Sequence, residues 1–163
     1  MTGNRKSVLR PTDEEAIRLA RTLLRNARHA ALATLDPESG RPVATRIGIG
    51  TDIDGAPTIL VSALAAHTPA LRADPRCSLL VGEPGRGDPL AHARMTVHCE
   101  AREIEKGSAE EARIAARYLE HSPKAMLYAS LGDFSYFRLE PTGASLNAGF
   151  GRAYALRRED LLD

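Results

Sequence analysis

Apolar positions recur at helical spacing in two parts of the chain. The first stripe follows the T-x-x-E sequence of Thr12 to Glu15, which is typical of a capping box, so we expect a helix to begin at Thr12. The members of this stripe are Ala16, Leu19, Ala20, Leu23 and Leu24. A second helix is predicted from Ser108, where Glu111 completes another capping box, and we expect it to end before Pro123.

Alternating apolar and polar positions predict strands through most of the remaining chain. A strand is predicted over residues 94–104, because every second residue from Met95 to Ala101 is apolar, which is typical of a strand that is buried on one face only. The members of this apolar face are Met95, Val97, Cys99 and Ala101. Further strands are predicted over residues 30–35, 43–49, 58–62, 77–82, 133–141 and 152–156.

The order of these elements predicts the fold class. A short helix is expected over residues 69–74, ended by Pro75, but helices do not separate most of the strands, so a parallel sheet is not supported. We therefore expect an α+β domain on an antiparallel sheet, with helices at its periphery. A closed or nearly closed barrel would protect so many short strands from edge pairing. The length fits one domain over residues 12–163 after a flexible segment, residues 1–11.

Composition and charge exclude several classes of function. Lys and Arg number 22 against 21 Asp and Glu, and this balance argues against a nucleic-acid partner, which usually needs a concentrated basic field. No run approaches the roughly 18 apolar residues of a membrane span, so we expect a cytoplasmic protein without a membrane partner. The two cysteines, Cys77 and Cys99, form no CxxC pair, and the five histidines are scattered, so no metal site is predicted.

The stretch SALAAHTPAL, residues 62–71, joins a strand end to a helix start. Thr68 is expected to cap this helix and Pro69 to occupy its first position. Backbone N–H groups at a helix start have no partner in the helix, so an anion is favoured there, with Ser62 and His67 as further donors. The alternative is an ordinary helix cap that binds nothing.

The strand VATRIGI offers a second candidate. Period two places Arg46 on the same face as Ala44 and Gly48, two small residues that leave room for a flat ligand. If this strand neighbours the one that ends at Ser62, Arg46 and the helix start could converge on a phosphate, to which arginine donates two hydrogen bonds. The alternative is an arginine exposed to solvent on an ordinary strand.

The segment LNAGFGRA, residues 146–153, is a third candidate. Gly149 and Gly151 permit an unusual backbone around Phe150, and Phe150 or Arg152 could reach a ligand or a partner subunit. It is not a dinucleotide fingerprint, because Tyr154 stands where the third glycine would be. A structural turn is equally compatible with this spacing.

Four segments in this order resemble the pyridoxamine 5′-phosphate oxidase-related, FMN-binding split-barrel superfamily, and within it the branch of the heme-utilisation proteins. They are ALATLDPESGRPVATRIGI, ILVSALAAHTPALRADPRCSLLV, GDPLAHARMTVHCEA and FRLEPTGASLNAGFGRAYAL, and the resemblance extends over residues 12–160. It implies a split β-barrel that forms a homodimer, with two FMN sites in the interface. It also implies the cofactor-binding residues, which are Arg46, Ile47, Gly48, Val61, Ser62, His67, Thr68, Arg94, Phe150 and Arg152.

Within this set the resemblance implies separate roles. His67 and Thr68 match the phosphate segment, whereas Arg94 matches a side chain that reaches the flavin from the other subunit. Phe150 and Arg152 lie near late contacts from that same subunit. The chain departs from the vitamin B6 oxidases, because AHT replaces their basic phosphate segment and tryptophan is absent. It departs from the heme-degrading relatives as well, since their ligand histidine lies in a C-terminal extension or loop and the last histidine here is His121.

Three functions follow as hypotheses. The first is an FMN-dependent oxidoreductase that transfers electrons between a small-molecule substrate or electron donor and an acceptor, with the chemistry supplied by the flavin and no catalytic side chain identified. The second is a heme-binding or heme-degrading protein on the same barrel, with a histidine on the iron and arginines on the propionates. The third is a non-catalytic binding module.

Overall fold

The alternating segments form the strands of one antiparallel sheet in the computed structural model, which describes residues 8–163. The eight strands are β1 His29–Leu35, β2 Pro42–Gly48, β3 Gly50–Thr51, β4 Pro57–Ser62, β5 Arg76–Val81, β6 Arg94–Glu103, β7 Phe134–Asn147 and β8 Ala153–Arg157. The helices are α1 Glu14–Asn26, α2 His67–Ala73, α3 Ala109–His121 and α4 Arg158–Leu161. Two short 3-10 helices cover Pro89–Ala91 and Pro123–Leu127.

The strand order closes the sheet into a barrel. The order is β2-β1-β5-β6-β7-β4-β3, and β8 pairs with β7 outside this path. Only Ile49 separates β2 from β3, so two strands that are consecutive in the chain lie at opposite ends of this order. β2 comes close to β4 without pairing with it in the described part of the chain, and this gap splits the barrel. The α+β split barrel expected from the sequence is confirmed.

Two apolar clusters fill the fold. The main cluster lies inside the barrel and includes the α1 residues Ala16, Ala20 and Leu24. A second cluster lies under α3, and its members are Leu60, Ile104, Ile114, Tyr118, Ala125 and Tyr136. In it the rings of Tyr118 and Tyr136 meet edge to face, with centroids 5.8 Å apart. The second cluster fixes α3 against the strands next to the barrel gap.

The helix caps correct part of the sequence prediction. The cap of α1 is Asp13, whose carboxylate accepts a hydrogen bond from Ala16 N at 2.8 Å, so the prediction of Thr12 was wrong. The Thr12 hydroxyl donates instead to the carbonyl oxygen of Ala155. The predicted cap of α3 is confirmed, because Ser108 Oγ accepts from Glu111 N at 3.1 Å. The Glu111 carboxylate, however, accepts from Gly107 N and does not complete the box on Ser108.

Two elements extend beyond their predicted ends. β7 continues to Asn147, six residues past the predicted end at Pro141, because the register shifts opposite His98 and Cys99 and leaves Thr142 outside the pairing. The charged residues after β8 form the short helix α4, which the sequence pattern did not predict. Of the segment expected to be flexible, residues 1–7 lie outside the described residues, whereas Arg10 N donates to the carbonyl oxygen of Ala153 at 2.8 Å.

Candidate functional site

Small side chains form the solvent-exposed face of the sheet. Directly paired residues of antiparallel strands point to the same face, so the register defines rows that cross it. One row contains Arg46, Ala31, Leu80, Thr96, Ser145 and Ala155. The next row contains Ala44, Ala33, Ser78, His98, Gly143 and Arg157. We call these two rows, with His29, Gly48 and Arg94 at their edge, the outer face.

A cleft of about 480 Å³ lies on the outer face beside β1 and β2. Arg46 and His29 line it together with the loop that follows β5. His29 Nε2 lies 2.7 Å from Glu83 Oε1, and both side chains are exposed. The Arg46 guanidinium has no hydrogen bond or ion pair among residues 8–163, so its donors are available to a ligand.

Gly82 determines where Glu83 lies. Its φ of +113° belongs to the region that favours glycine, and a Cβ there would lie 2.5 Å from the Ala93 carbonyl oxygen and 2.7 Å from Arg94 Cα. Only glycine therefore lets the loop pack this tightly on the start of β6. The tight packing brings the next residue, Glu83, to the His29 ring.

Arg94 and Phe150 lie around the 3-10 helix Pro89–Ala91. Arg94 Nη1 donates to the Leu90 carbonyl oxygen at 2.7 Å, and the guanidinium has no carboxylate partner within residues 8–163. Gly149, next to Phe150, is so close to this helix that a Cβ would lie 3.2 Å from the Ala91 carbonyl oxygen. The Phe150 side chain is 70% exposed. The Phe150 ring is thus exposed at one edge of the outer face, and Nε and Nη2 of Arg94 have no partner there within residues 8–163.

Arg152 points elsewhere. Its Nη2 lies 2.9 Å from Glu15 Oε1 on α1, and this ion pair ties the turn before β8 to the first helix. Among the late residues named from the sequence, Arg152 therefore has a structural partner inside the chain, whereas Phe150 has an exposed ring.

At the start of α2 the predicted cap is wrong. The helix begins at His67, and Ala66 holds the cap position without a side-chain hydrogen bond. Thr68 is fully buried; its hydroxyl donates to the Ser62 carbonyl oxygen at 2.5 Å and its N–H to the Ala65 carbonyl oxygen at 3.0 Å. The turn from Ser62 to Ala66 uses the threonine as an internal brace, so its donors are occupied.

The neighbouring polar groups are also bonded within the chain. The Ser62 hydroxyl donates to Asp133 Oδ2 at 2.7 Å. His67 Nδ1 lies 3.1 Å from Thr45 Oγ1, and burial lowers the pKa of His67, which favours the neutral ring at pH 7. Val61 and Ile47 are buried in the core.

Arg46 does not converge with this segment inside one chain. Thr45 contacts His67, and successive residues of a strand point to opposite faces, so Arg46 points to the outer face. The space beside Gly48 is also occupied, because a Cβ there would lie 2.7 Å from Tyr118 Oη. The sequence pattern assigned that space to a flat ligand, whereas in the structure Tyr118 fills it.

Other candidates carry no chemistry of their own. Cys77 and Cys99 face each other across β5 and β6, and burial raises the pKa of the Cys77 thiol to about 12. Within residues 8–163, no three His, Cys, Asp or Glu side chains lie close enough together to hold a metal ion. In the same part of the chain, the helices are too short or too polar to cross a membrane.

Sequence reasoning missed the pairing of His29 with Glu83. Extending the predicted strand by one residue would have put His29 on the face of Ala31 and Ala33, so its exposure could have been found. Glu83 lies in a loop rich in Gly and Pro, and its position follows from the close packing of Gly82 on β6, which the sequence alone does not show.

Comparison with known proteins places the chain in a family. The family model described as pyridoxamine 5′-phosphate oxidase matches residues 18–147. The chloroplastic heme oxygenase HOZ of Arabidopsis thaliana is 33% identical over 150 residues, which are 87% of this chain and 44% of HOZ. Heme oxygenase HutZ of Vibrio cholerae is 30% identical over 135 residues, which are 81% of this chain and 76% of HutZ.

A solved structure gives the same result for the fold. The heme binding protein from Mycobacterium smegmatis superposes with a TM-score of 0.83 at 32% identity, over 94% of this chain and 61% of that one. The chain thus spans less than two thirds of that protein and less than half of HOZ. A family match over most of the chain and relatives of this identity show that the chain belongs to the pyridoxamine 5′-phosphate oxidase-like split-barrel superfamily, in its heme-utilisation branch.

Proposed function

We propose that the protein binds heme on its outer face and acts in heme breakdown or heme storage. The observation that carries this proposal is a broad exposed face of small side chains with two arginines, Arg46 and Arg94, that have no carboxylate partner within residues 8–163. Small side chains leave room for a flat macrocycle. Guanidinium groups without a carboxylate suit the two propionates of heme. Relatives named as heme oxygenases at 30% and 33% identity support the same ligand.

A second copy of the chain would complete the site. The outer face extends over six strands and is largely Ala, Gly, Ser and Thr, so a flat ligand lying on it would be exposed on its other side. Pairing of two outer faces would remove that surface from water, as the superfamily resemblance implies for a homodimer. In such a dimer, Phe150 and Arg94 of one copy would lie near the cleft of the other.

FMN is the second candidate, favoured by the family match. The residues predicted for it were Arg46, Ile47, Gly48, Val61, Ser62, His67, Thr68, Arg94, Phe150 and Arg152. We rank FMN second because the hydroxyl groups of Ser62 and Thr68 already donate hydrogen bonds within the chain, and a phosphate there would have to replace those partners. The residue set for FMN remains a prediction.

Titration of the purified protein tests the proposal. We expect hemin to give a shifted Soret band that saturates at one heme per chain or one per two chains. Arg46→Ala combined with Arg94→Ala is expected to weaken binding at least tenfold, because each charge-assisted contact is stronger than a neutral one. Arg41→Ala, in the β1–β2 turn, is the matched control and should bind like the wild type.

The other outcomes separate the hypotheses. Flavin absorption in the purified protein, or quenching of FMN fluorescence without any Soret shift, would overturn the proposal in favour of an FMN oxidoreductase. Protein that binds neither compound would support a non-catalytic binding module. For the heme-bound protein, loss of the Soret band and release of chelatable iron on addition of ascorbate distinguish breakdown from storage. Sedimentation measures whether two copies associate.

A further inference from the structure

A second cavity, of about 380 Å³, lies between the ends of α1 and α3. None of the residues that line it also lines the cleft beside Arg46. We call it the arginine pocket, and its lining residues are Arg25, Arg28, Thr51, Arg117, Glu120 and His121. The proposed heme site uses none of these side chains.

Backbone carbonyl groups hold two of the arginines in place. Arg28 Nη1 donates to the His121 carbonyl oxygen at 3.1 Å, and Arg117 Nε donates to the Thr51 carbonyl oxygen at 3.1 Å. Neither guanidinium forms an ion pair with a carboxylate of residues 8–163. Each of them uses one N–H within the chain, and a guanidinium has several more. Two positioned cations therefore line one cavity with most of their donors unused.

Helix capping accounts for these carbonyl contacts but not for the remaining donors. The His121 carbonyl oxygen lies at the end of α3, where a cation is favoured, and Arg28 satisfies it with a single N–H. The end of α1 is bonded by another group, because His121 Nε2 donates to the Ala27 carbonyl oxygen at 2.8 Å. Arg117 bonds the carbonyl oxygen of a strand residue, for which a neutral donor would suffice. A charged, half-buried Arg117 is thus more than the fold requires.

Carboxylates do not balance the charge around the arginine pocket. Arg25 forms an ion pair with Asp163, which leaves Glu120 as the one carboxylate that lines the pocket with Arg28 and Arg117. Glu120 is exposed and forms no ion pair in the described part of the chain. An excess of positive charge therefore remains at a concave surface, and such a surface attracts anions.

We propose that the arginine pocket binds the phosphate group of a small phosphate ester. The planar fork of arginine donates two parallel hydrogen bonds to a phosphate, and two arginines suit its double charge. His121 Nδ1 has no partner within residues 8–163, so it adds a further polar group. The volume is in the range of small-molecule sites, which leaves room for the organic part of the ester. Because the pocket is separate from the outer face, its ligand does not depend on heme binding.

Calorimetric titration of the full, heme-free chain with phenyl phosphate tests this site. At constant ionic strength we expect saturation at one phenyl phosphate per chain, with tighter binding than for inorganic phosphate or for phthalate, an aromatic dicarboxylate. Arg28→Gln and Arg117→Gln should each weaken binding at least tenfold, because each removes a charge-assisted contact. Glutamine keeps an N–H for the carbonyl oxygen, so both variants should fold, which circular dichroism checks. Arg18→Gln is the matched control, since it removes an exposed arginine of α1 that has no ion pair within residues 8–163, and it should bind like the wild type.

Several results would overturn the proposal. Titration without saturation, or equal weakening by Arg18→Gln, would leave only unspecific attraction of anions. Phthalate binding as tight as that of phenyl phosphate would make the ligand a dicarboxylate, and tighter binding of inorganic phosphate would exclude an ester. In NMR spectra of the wild type, phenyl phosphate should shift the Nε–H signals of Arg28 and Arg117 and leave that of Arg46 in place. A shift at Arg46 alone would put the anion on the outer face instead.

Discussion

Asp52 and Arg138 form a buried ion pair, with Asp52 Oδ2 2.8 Å from Arg138 Nη1. The Asp52 side chain is fully buried and that of Arg138 is 10% exposed. Asp52 also accepts a hydrogen bond from Arg113 Nη2 of α3 at 2.7 Å, and Arg138 Nη2 lies 2.6 Å from Asp54 Oδ2. The cluster connects the β3–β4 turn, β7 and α3, and so it helps to hold α3 where Tyr118 contacts Gly48.

Removing one partner of this cluster should destabilise the fold. Asp52→Asn removes the counter-charge that Arg138 shares with Arg113, but Arg138 keeps its ion pairs with Asp54 and Glu140, so we expect a loss of about 1–3 kcal/mol of unfolding free energy. Glu103→Gln is the control, because the ion pair of Glu103 with Arg72 is exposed and should be worth about 1 kcal/mol or less. Urea unfolding of both variants measures the difference. Equal losses would contradict the structural role given to Asp52.

The same cluster predicts how stability depends on pH in acid. Burial alone would raise the pKa of Asp52, but hydrogen bonds from Arg113, Ile53 N and Arg138 outweigh it and lower the pKa to about 2. Because the folded pKa lies below the unfolded one, the carboxylate contributes its full stability above about pH 4 and loses it as the pH falls towards 2. Urea midpoints between pH 5 and 2.5 should therefore fall more steeply for the wild type than for Asp52→Asn. Parallel slopes would contradict this.

The contact of Gly48 with Tyr118 gives a prediction about packing. Gly48→Ala puts a Cβ 2.7 Å from Tyr118 Oη, and since the tyrosine is buried it cannot move freely, so we expect a loss of about 1–3 kcal/mol. Gly132→Ala is the control, because nothing lies within 4 Å of a Cβ there. Adding Tyr118→Phe, which removes the hydroxyl, should recover part of the loss in a double-mutant cycle. Additive losses would show that the contact is not responsible.

His67 should titrate below its ordinary range. Burial lowers the pKa of His67 below 6.5, so the unfolded chain binds a proton more readily than the folded one. Stability from this residue is complete above about pH 6.5 and is lost as the pH falls through the folded pKa. We expect the His67 ring protons in NMR spectra to titrate below pH 6.5, and His67→Gln to flatten the stability profile there. A pKa raised by added FMN would instead favour a phosphate at the start of α2.

The sequence pattern predicted the fold well because alternation depends on which face is buried. Met95, Val97 and Cys99 are buried in the structure and Ala101 is partly buried, whereas exposed neighbours such as His98 lie on the outer face. The sequence pattern alone could not show which residue caps α1, because Thr12 and Asp13 are both good caps. In the structure the Thr12 hydroxyl donates to the carbonyl oxygen of Ala155, a residue 143 positions away, and Asp13 is the cap.

The candidate site was less predictable, because its contacts join residues that are far apart in the sequence. Arg46 could be placed on a face by period two, but the identity of its neighbours depends on strand order, and β2 pairs with β1 and not with β4. Nothing in the sequence around Gly48 indicates that Tyr118 lies beside it, because Tyr118 is 70 residues later, in α3. Short motifs thus located polar groups correctly but did not show which of them already had partners.

Thr68 provides the sharpest distinction between an internal brace and a ligand contact. Its buried hydroxyl donates to the Ser62 carbonyl oxygen, so Thr68→Val, which keeps the shape, should lose about 1–2 kcal/mol of unfolding free energy. Thr142→Val is the matched control, because that hydroxyl also donates to a carbonyl oxygen, of His98, but is exposed, and it should change stability by about 0.5 kcal/mol or less. Urea unfolding and FMN titration of both variants separate the roles. If Thr68→Val leaves stability unchanged and reduces FMN affinity, Thr68 is a phosphate contact and the internal brace is not its main role.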